Sequence, residues 1–252
     1  MDLGLDGRVV VVTGATGGIG RAIAVTFARE GALVAAGWHR DEEGARGLVE
    51  EIARSGGKAV AVRIDQCDPE SITSAVREVE RELGAVAVLV ANAVAWPEMG
   101  PETWRTLSDG FTANVTGTLM LVDAVLPGMR SAGWGRLVLV SSDVVDQPVP
   151  AGVTYPAAKG ALETAAKVLA VREAGHGVFT NVVRPGFTLT DRVLSTPWLG
   201  QQAVDAEGAK TPTGRICTPE DVASAAVYLG SAANGHVNGE ILSVAGGRHL
   251  TR

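Results

Sequence analysis

In the stretch TYPAAKG, Thr154 to Gly160, one of the chain's two tyrosines stands four residues before a lysine. On a helix that separation puts Tyr155 and Lys159 on one face, one turn apart. An ammonium beside a phenol favours the phenolate and lowers the tyrosine pKa from its ordinary value of about 10. An acid or base working near neutrality needs a shift in that direction. The pair by itself also fits an ordinary helix surface, so its meaning depends on the elements that position it.

Those elements alternate. Short β-branched runs (RVVVVTG, ALVAAGW, KAVAVRID, VAVLVAN, GRLVLVSS, FTNVVRPG) are separated by longer amphipathic segments, among them GRAIAVTFAREG, DEEGARGLVEEIARSG and PESITSAVREVEREL. A helical stretch is expected from Pro101 through Met129, another from Tyr155, and a last one over PEDVASAAVYLGS before the strand EILSVAGG. Strands that are apolar on both faces, without in/out alternation, belong to a parallel sheet between two helix layers. The expected fold is a single-domain α/β unit over 1–252, a doubly wound, Rossmann-type parallel sheet with helices on both faces.

The first strand runs into VVVVTGATGGIGRAIA, with Gly14, Gly17, Gly18 and Gly20 between strand and helix, and Thr16 and Ile19 among them. A doubly wound fold receives a dinucleotide at this place. Gly14 permits the tight turn, Gly18 lets the backbone approach a pyrophosphate, and Gly20 lets the helix pack on the sheet. The free N–H groups of the helix start then bind phosphate. A P-loop would need Lys-Ser/Thr after the last glycine, which is absent, so ATP is disfavoured.

Composition sets the outer limits. The chain has 252 residues, 46% of them hydrophobic and 20% charged, and a formal net charge of −6. This describes one folded core and argues against general affinity for nucleic acid or an anionic membrane. Cys67 and Cys217 form neither a metal-type pair nor a disulfide framework, so no metal site is expected and a reducing cytoplasm is compatible. No signal segment or membrane span is visible in the sequence. A small-molecule partner fits best.

TGATGGIG, followed 135 residues after Gly20 by YPAAK, resembles the short-chain dehydrogenase/reductase family, in particular its members similar to 3-oxoacyl-ACP reductases and ketoreductases. The likeness covers nearly the whole chain, with ANVTG around Asn114, VSSDV at Ser141 and Ser142, VVRPGFTLT through Thr190, and TPTGRICTPEDVASAAVYL. The resemblance implies a nicotinamide cofactor, interconversion of a carbonyl and an alcohol, and a homo-oligomer, tetramer or dimer. It implies Tyr155 as proton donor, Lys159 as holder of the nicotinamide ribose, Ser142 as the group that orients the substrate oxygen, and Asn114 as the anchor of a proton-relaying water. Ser141 should face the other side of its strand and be structural. Further cofactor contacts are expected from Asp65, Asn92, Pro185, Gly186 and Thr188, with Thr190 gripping the carboxamide. One departure stands out: Ala91, Asn92, Ala93 and Val94 replace the family's Asn-Asn-Ala-Gly, and the missing glycine bears on the fit of the ribose or the substrate.

Cofactor preference is read about 20 residues beyond the glycine loop, where an acid binds the free ribose of NAD or an arginine accommodates the phosphate of NADP. Here the sequence is VAAGWHRDEEG. His39 and Arg40 follow a strand end without an acid, and Asp41 suits the cap of the next helix. NADP(H) is preferred on this ground; NAD(H), and with it a secondary alcohol dehydrogenase, is the alternative. A non-catalytic dinucleotide-binding regulator on the same fold would be expected to lack Tyr155, Lys159 or Ser142, and all are present. The segment from Phe187 to Lys210 is expected to be a substrate lid with Gly200 and Gly208 as hinges. Trp96, Ser142, Val144, Val149, Phe187 and Trp198 are the candidate pocket lining around a ketone or alcohol whose identity stays open.

Overall fold

The computed structural model of the chain describes residues 2–96, 100–148, 152–197 and 199–251. Seven strands, β1 (Val9–Thr13), β2 (Leu33–Trp38), β3 (Lys58–Arg63), β4 (Val86–Ala91), β5 (Gly135–Val140), β6 (Val178–Pro185) and β7 (Ile241–Val244), form one sheet in the order β3-β2-β1-β4-β5-β6-β7. Each neighbouring pair is parallel.

The helices of the described residues are α1 (Gly18–Arg29), α2 (Glu42–Arg54), α3 (Pro69–Glu82), α4 (Trp104–Phe111), α5 (Gly117–Ala132), α6 (Thr154–Glu173), α7 (Asp191–Ser195), α8 (Gly200–Lys210) and α9 (Pro219–Gly230). The sequence dictates several of their starts. Asp41 and Asp68 accept backbone N–H bonds at the first turns of α2 and α3, and Thr218 and Asp221 close a reciprocal capping box on α9. The helix expected over 101–129 is two helices joined by a π-helical turn, Thr112–Thr116.

In β1, Val10 and Val12 pack with Ile23 and Phe27 of α1, Leu48 of α2 and Val222 of α9. Val9 and Val11 pack on the other face with Ile72 of α3, Leu121 of α5 and Leu162 of α6. Both faces of the strand are therefore buried, which is why its sequence shows no alternation. Each such side chain contributes about 1.5 to 3 kcal/mol of transfer free energy.

From β1 the chain builds outward through β2 and β3, then crosses back to set β4 on the other side of β1. The crevice beyond the carboxyl ends of β1 and β4 is thus a topological switch point, the usual ligand site of an open α/β sheet. Between β6 and α9 the chain forms α7 and α8 and, among the described residues, one isolated bridge between Thr188 and Cys217. Gly208 does not meet the expectation of a hinge: it lies buried inside α8, where an added Cβ would come within 3.7 Å of the Arg215 Cα. Gly200, at φ +64°, begins α8 in a conformation that favours glycine. Among the described residues no helix is long and apolar enough to cross a membrane.

Candidate active site

The glycine loop is built by close approach. Gly14 has φ +62°, and a Cβ there would meet the Ala93 Cα at 2.9 Å. A Cβ on Gly20 would run into the Gly14 carbonyl oxygen, so α1 packs on the loop only with glycine at this position. Gly17 and Gly18 are exposed at the α1 N-terminus, which has no side-chain cap. Its first N–H groups are therefore available to a phosphate, and the cradle fits a dinucleotide. Gly18 differs from expectation in detail: the space a Cβ would take is filled by Thr190, with Cγ2 at 2.9 Å, so this glycine also admits the segment after β6.

Asn92 is a brace for this loop. Its Nδ2 donates to the carbonyls of Thr13 and Gly14 at 3.0 and 3.2 Å, while the Thr13 hydroxyl accepts from the Asn92 and Ala93 amides. Both amide protons are spent on the backbone, so the expected direct cofactor contact is reduced to Oδ1. Thr13 carried no signal beyond its position at a strand end. Val94 tolerates the lost glycine without strain, because no described non-glycine residue has a positive φ.

At the end of β5, Ser141 points to the far side, as expected, and donates to Glu163 Oε1 at 2.7 Å. Glu163 forms a buried ion pair with Arg184 of β6, which also reaches Asp146. Glu163 stands one turn beyond Lys159 on α6, so this network fixes α6, β5 and β6 to one another behind the site.

Ser142 is the cap of a short 3₁₀ turn, with Oγ 3.5 Å from the Val144 amide and from Asp143 Oδ1. Its hydroxyl also lies beside the Tyr155 phenol. Burial raises the Tyr155 pKa, the Ser142 hydrogen bond lowers it, and the Asp143 charge raises it again. The expected lowering by Lys159 is not what this structure shows. Lys159 is 2% exposed, sits 5.8 Å from the Tyr155 ring centre and donates to the Val140 carbonyl at 2.7 Å. Burial pushes its ammonium down to about 8. Desolvation thus outweighs the mutual effect of the pair on both members.

Asn114 is buried within the π-helical turn rather than on a helix surface. Its Oδ1 accepts from the Ala95 amide at 2.9 Å, and its Nδ2 donates to the Ala95 and Gly110 carbonyls. The side chain therefore holds the strand extension that leads into Trp96. Trp96 stacks on Tyr155 with ring centres 5.0 Å apart, and the Arg192 guanidinium of α7 lies 4.6 Å over the same indole. Val144 and Phe187 are half-buried near the ends of β5 and β6, and the Phe187 carbonyl accepts from Cys217. Val149 and Trp198 lie outside the described residues.

At the end of β6, Pro185 closes the strand, Gly186 donates to Val244, and Thr188 Oγ1 donates to the Gly186 carbonyl at 2.8 Å. The Thr190 hydroxyl accepts from the Val193 amide and caps α7. At the end of β2, His39 lies 3.1 Å from Asp65, and Asp41 accepts from Gly44. Arg40 is exposed and makes no ion pair among the described residues.

A family model described as enoyl-(acyl carrier protein) reductase matches residues 14–249. The chain belongs to the short-chain dehydrogenase/reductase family. It is 35% identical to a 3-oxoacyl-[acyl-carrier-protein] reductase of Vibrio cholerae, over 98% of this chain and 100% of that protein. To a D-threitol dehydrogenase of Mycolicibacterium smegmatis it is 34% identical, over 98% and 94% of the two chains. A crystal structure of a protein provisionally named an NAD(P)-dependent gluconate 5-dehydrogenase, from Beutenbergia cavernae, superposes with a TM-score of 0.89 at 34% identity over all of both chains. That structure holds NADP at low occupancy. As a member of the short-chain dehydrogenase/reductase family, this protein is an NAD(P)-dependent oxidoreductase.

Proposed function

We propose that the enzyme reduces a ketone to a secondary alcohol, with NADP(H) as its cofactor and Tyr155 as proton donor. The observation that carries this reading is the convergence of Ser142, Tyr155 and buried Lys159 beyond the carboxyl end of β5, beside the glycine cradle. The bound nicotinamide would supply hydride to the carbonyl carbon. The cradle residues Gly14, Thr16, Gly17, Gly18, Ile19 and Gly20 would hold its phosphates, with Pro185, Gly186, Thr188 and Thr190 against its nicotinamide end.

Ser142 donates a hydrogen bond to the carbonyl oxygen and fixes it against the phenol. Burial keeps the Tyr155 phenol protonated at neutral pH, ready to deliver its proton as the oxygen becomes negative. Lys159, still largely protonated at pH 7 with a pKa near 8, then stabilises the phenolate left behind. The brace that Asn114 makes to Ala95 keeps Trp96 against the phenol ring and so helps to hold the orientation of Tyr155.

NADP(H) over NAD(H) is supported by the engagement of Asp41 with the α2 N-terminus, which leaves Arg40 as the free charge beyond β2. The whole chain acts as one unit, with 187–210 as the segment that covers the substrate. The exposed Leu242 on the outer edge strand β7 supports a homo-oligomer, which light scattering tests. The decisive experiment for the function is turnover of a ketone panel with NADPH and with NADH. Reduction by wild type, lost in Tyr155→Phe, is the expected result; wild type inactive on every ketone, or Tyr155→Phe as active as wild type, would overturn it.

A further inference from the structure

The helix that carries Tyr155 and Lys159 starts without a cap of its own. Its N-cap position is Val153, which has no side-chain acceptor, and its first residues are Thr154, Tyr155 and Pro156, the last without an N–H. The acceptor comes instead from Glu102, 51 residues before Val153 and just ahead of α4. One Glu102 oxygen accepts from the Val153 amide at 2.9 Å; the other accepts from the Thr154 amide at 2.8 Å and from the Thr154 hydroxyl. A carboxylate at this place also meets the positive end of the helix dipole.

Glu102 is itself exposed, but the residue it holds is not. Thr154 is 3% exposed, and its amide and hydroxyl have no other partner among the described residues. Without Glu102, two donors of a buried residue lose their acceptor. The fit is close on both sides of the bond. A Cβ on Gly152 would come within 2.9 Å of the Glu102 Oε1, so glycine there admits the carboxylate. The threonine methyl is backed by α4, where a Cβ on Gly110 would come within 2.5 Å of the Thr154 Cγ2. The Gly110 carbonyl in turn accepts from Asn114, the residue that holds Ala95 and the approach to Trp96. One segment, 102–114, therefore grips the residue before Tyr155 and, through Trp96, the phenol ring as well.

We propose that Glu102 is a positioning residue for the reaction: it caps α6 from outside the helix and so fixes the first turn, and with it the Tyr155 phenol, beside Ser142. This rests on the reading of Tyr155 as proton donor given above. The effect is confined to that turn. Lys159 stands one turn further along, buried and held by the Val140 carbonyl at 2.7 Å, and the glycine cradle lies between β1 and α1. Fraying of the first turn therefore shifts the proton donor and leaves the groups proposed to hold the cofactor in place. Proton delivery is sensitive to such a shift, since about 1 Å of misplacement can cost roughly 10²-fold in rate.

The test measures kcat and KM in the full-length enzyme for the ketone that wild type reduces best, with cofactor affinity followed by quenching of tryptophan fluorescence. Glu102→Ala is expected to lower kcat by roughly 10- to 100-fold while cofactor affinity and the KM for the ketone stay within a few-fold of wild type. Glu102→Gln keeps one acceptor oxygen and should fall between. Thr154→Val removes the hydroxyl and keeps the shape, so it should be slower than Thr154→Ser, which keeps the hydroxyl and loses only a methyl. Three results would overturn the inference alone: Glu102→Ala with the kcat of wild type while Tyr155→Phe is inactive, cofactor affinity that falls in step with kcat in Glu102→Ala, or Thr154→Ser slower than Thr154→Val. A Tyr155→Phe as active as wild type overturns the reading of Tyr155 as proton donor, and this inference with it.

Discussion

Lys159 donates from Nζ to the Val140 carbonyl at 2.7 Å, one turn past Tyr155 in α6 and almost wholly out of water. No carboxylate among the described residues pairs with it. A buried cation without a counter-charge is a liability to the fold, a cost in keeping with the role proposed for Lys159 in the reaction. The fall from 10.5 to about 8 corresponds to about 3 kcal/mol, part of which the hydrogen bond to Val140 offsets.

Lys159→Met is therefore expected to stabilise the cofactor-free protein while abolishing turnover. With about 1 kcal/mol subtracted for the lost hydrogen bond, the rise in Tm at pH 7 should be about 4 to 8 °C. The sign with pH follows from the depressed value. Between about 8 and 10.5 the unfolded chain holds more protons at this group than the folded one, so its contribution to stability rises with pH. The variant's advantage should be full below pH 8 and shrink toward pH 10.5. Thermal denaturation of both proteins across pH 6 to 10 is the measurement, and a variant less stable than wild type at pH 7 would contradict the account.

Tyr155→Phe removes the proposed proton donor and leaves the stack with Trp96 and the cradle untouched. Steady-state reduction should fall by roughly 10²-fold to 10⁴-fold, the usual worth of a general acid. Cofactor affinity, followed by quenching of tryptophan fluorescence, should stay within a few-fold of wild type. A matching loss of affinity would mean that the phenol chiefly holds the cofactor.

The sheet, its layers and the glycine cradle were legible because each rests on local chemistry: uninterrupted valine runs, Gly14 at a positive φ, and Asp41 at a helix start. Ser142, Tyr155 and Lys159 were legible as a set through the family resemblance, since spacing alone gives only that Tyr155 and Lys159 share a helix face. What the sequence hid were consequences of burial and of long-range pairing. Whether Lys159 perturbs Tyr155 or is itself perturbed depends on how dry the site is, which spacing does not report. Asn92 and Asn114 look like ligand-facing polar groups in a linear sequence, yet both spend their amides on backbone from distant segments. Gly208 looked like a hinge and is a helix residue, since a lone glycine does not say whether its neighbours hold it helical.

Cofactor choice gives a prediction at two sites. Gly17 has an ordinary φ of −81°, and a Cβ there would find its nearest neighbour at 3.6 Å, so the loop has room for a side chain. Gly17→Arg should set a second guanidinium near the 2′-phosphate that NADPH alone carries and lower the KM for NADPH several-fold, with little change for NADH. Arg40→Ala should raise the KM for NADPH and barely alter that for NADH. Steady-state kinetics with both cofactors checks both, and a wild type that prefers NADH in kcat/KM would return Asp41 to consideration as a ribose ligand.

The last prediction concerns the pH dependence that Asp143 imposes on Tyr155. The groups facing the phenol are Ser142 and Asp143 from the end of β5, Lys159 from its own helix, and Trp96 with Arg192 across the cleft. Burial and the Asp143 charge both hold the phenol pKa up, so reduction, which needs the phenol protonated, should be lost only on an alkaline limb. Asp143→Asn removes the negative charge without changing the size of the side chain. The Tyr155 pKa must then fall, and the alkaline limb of kcat for reduction should move to lower pH. Oxidation of the alcohol needs the phenolate, so its rise with pH should begin earlier in the variant. Both limbs are measured on one substrate pair at constant ionic strength; a limb that moves to higher pH in Asp143→Asn would mean that Asp143 does not act on the phenol through its charge.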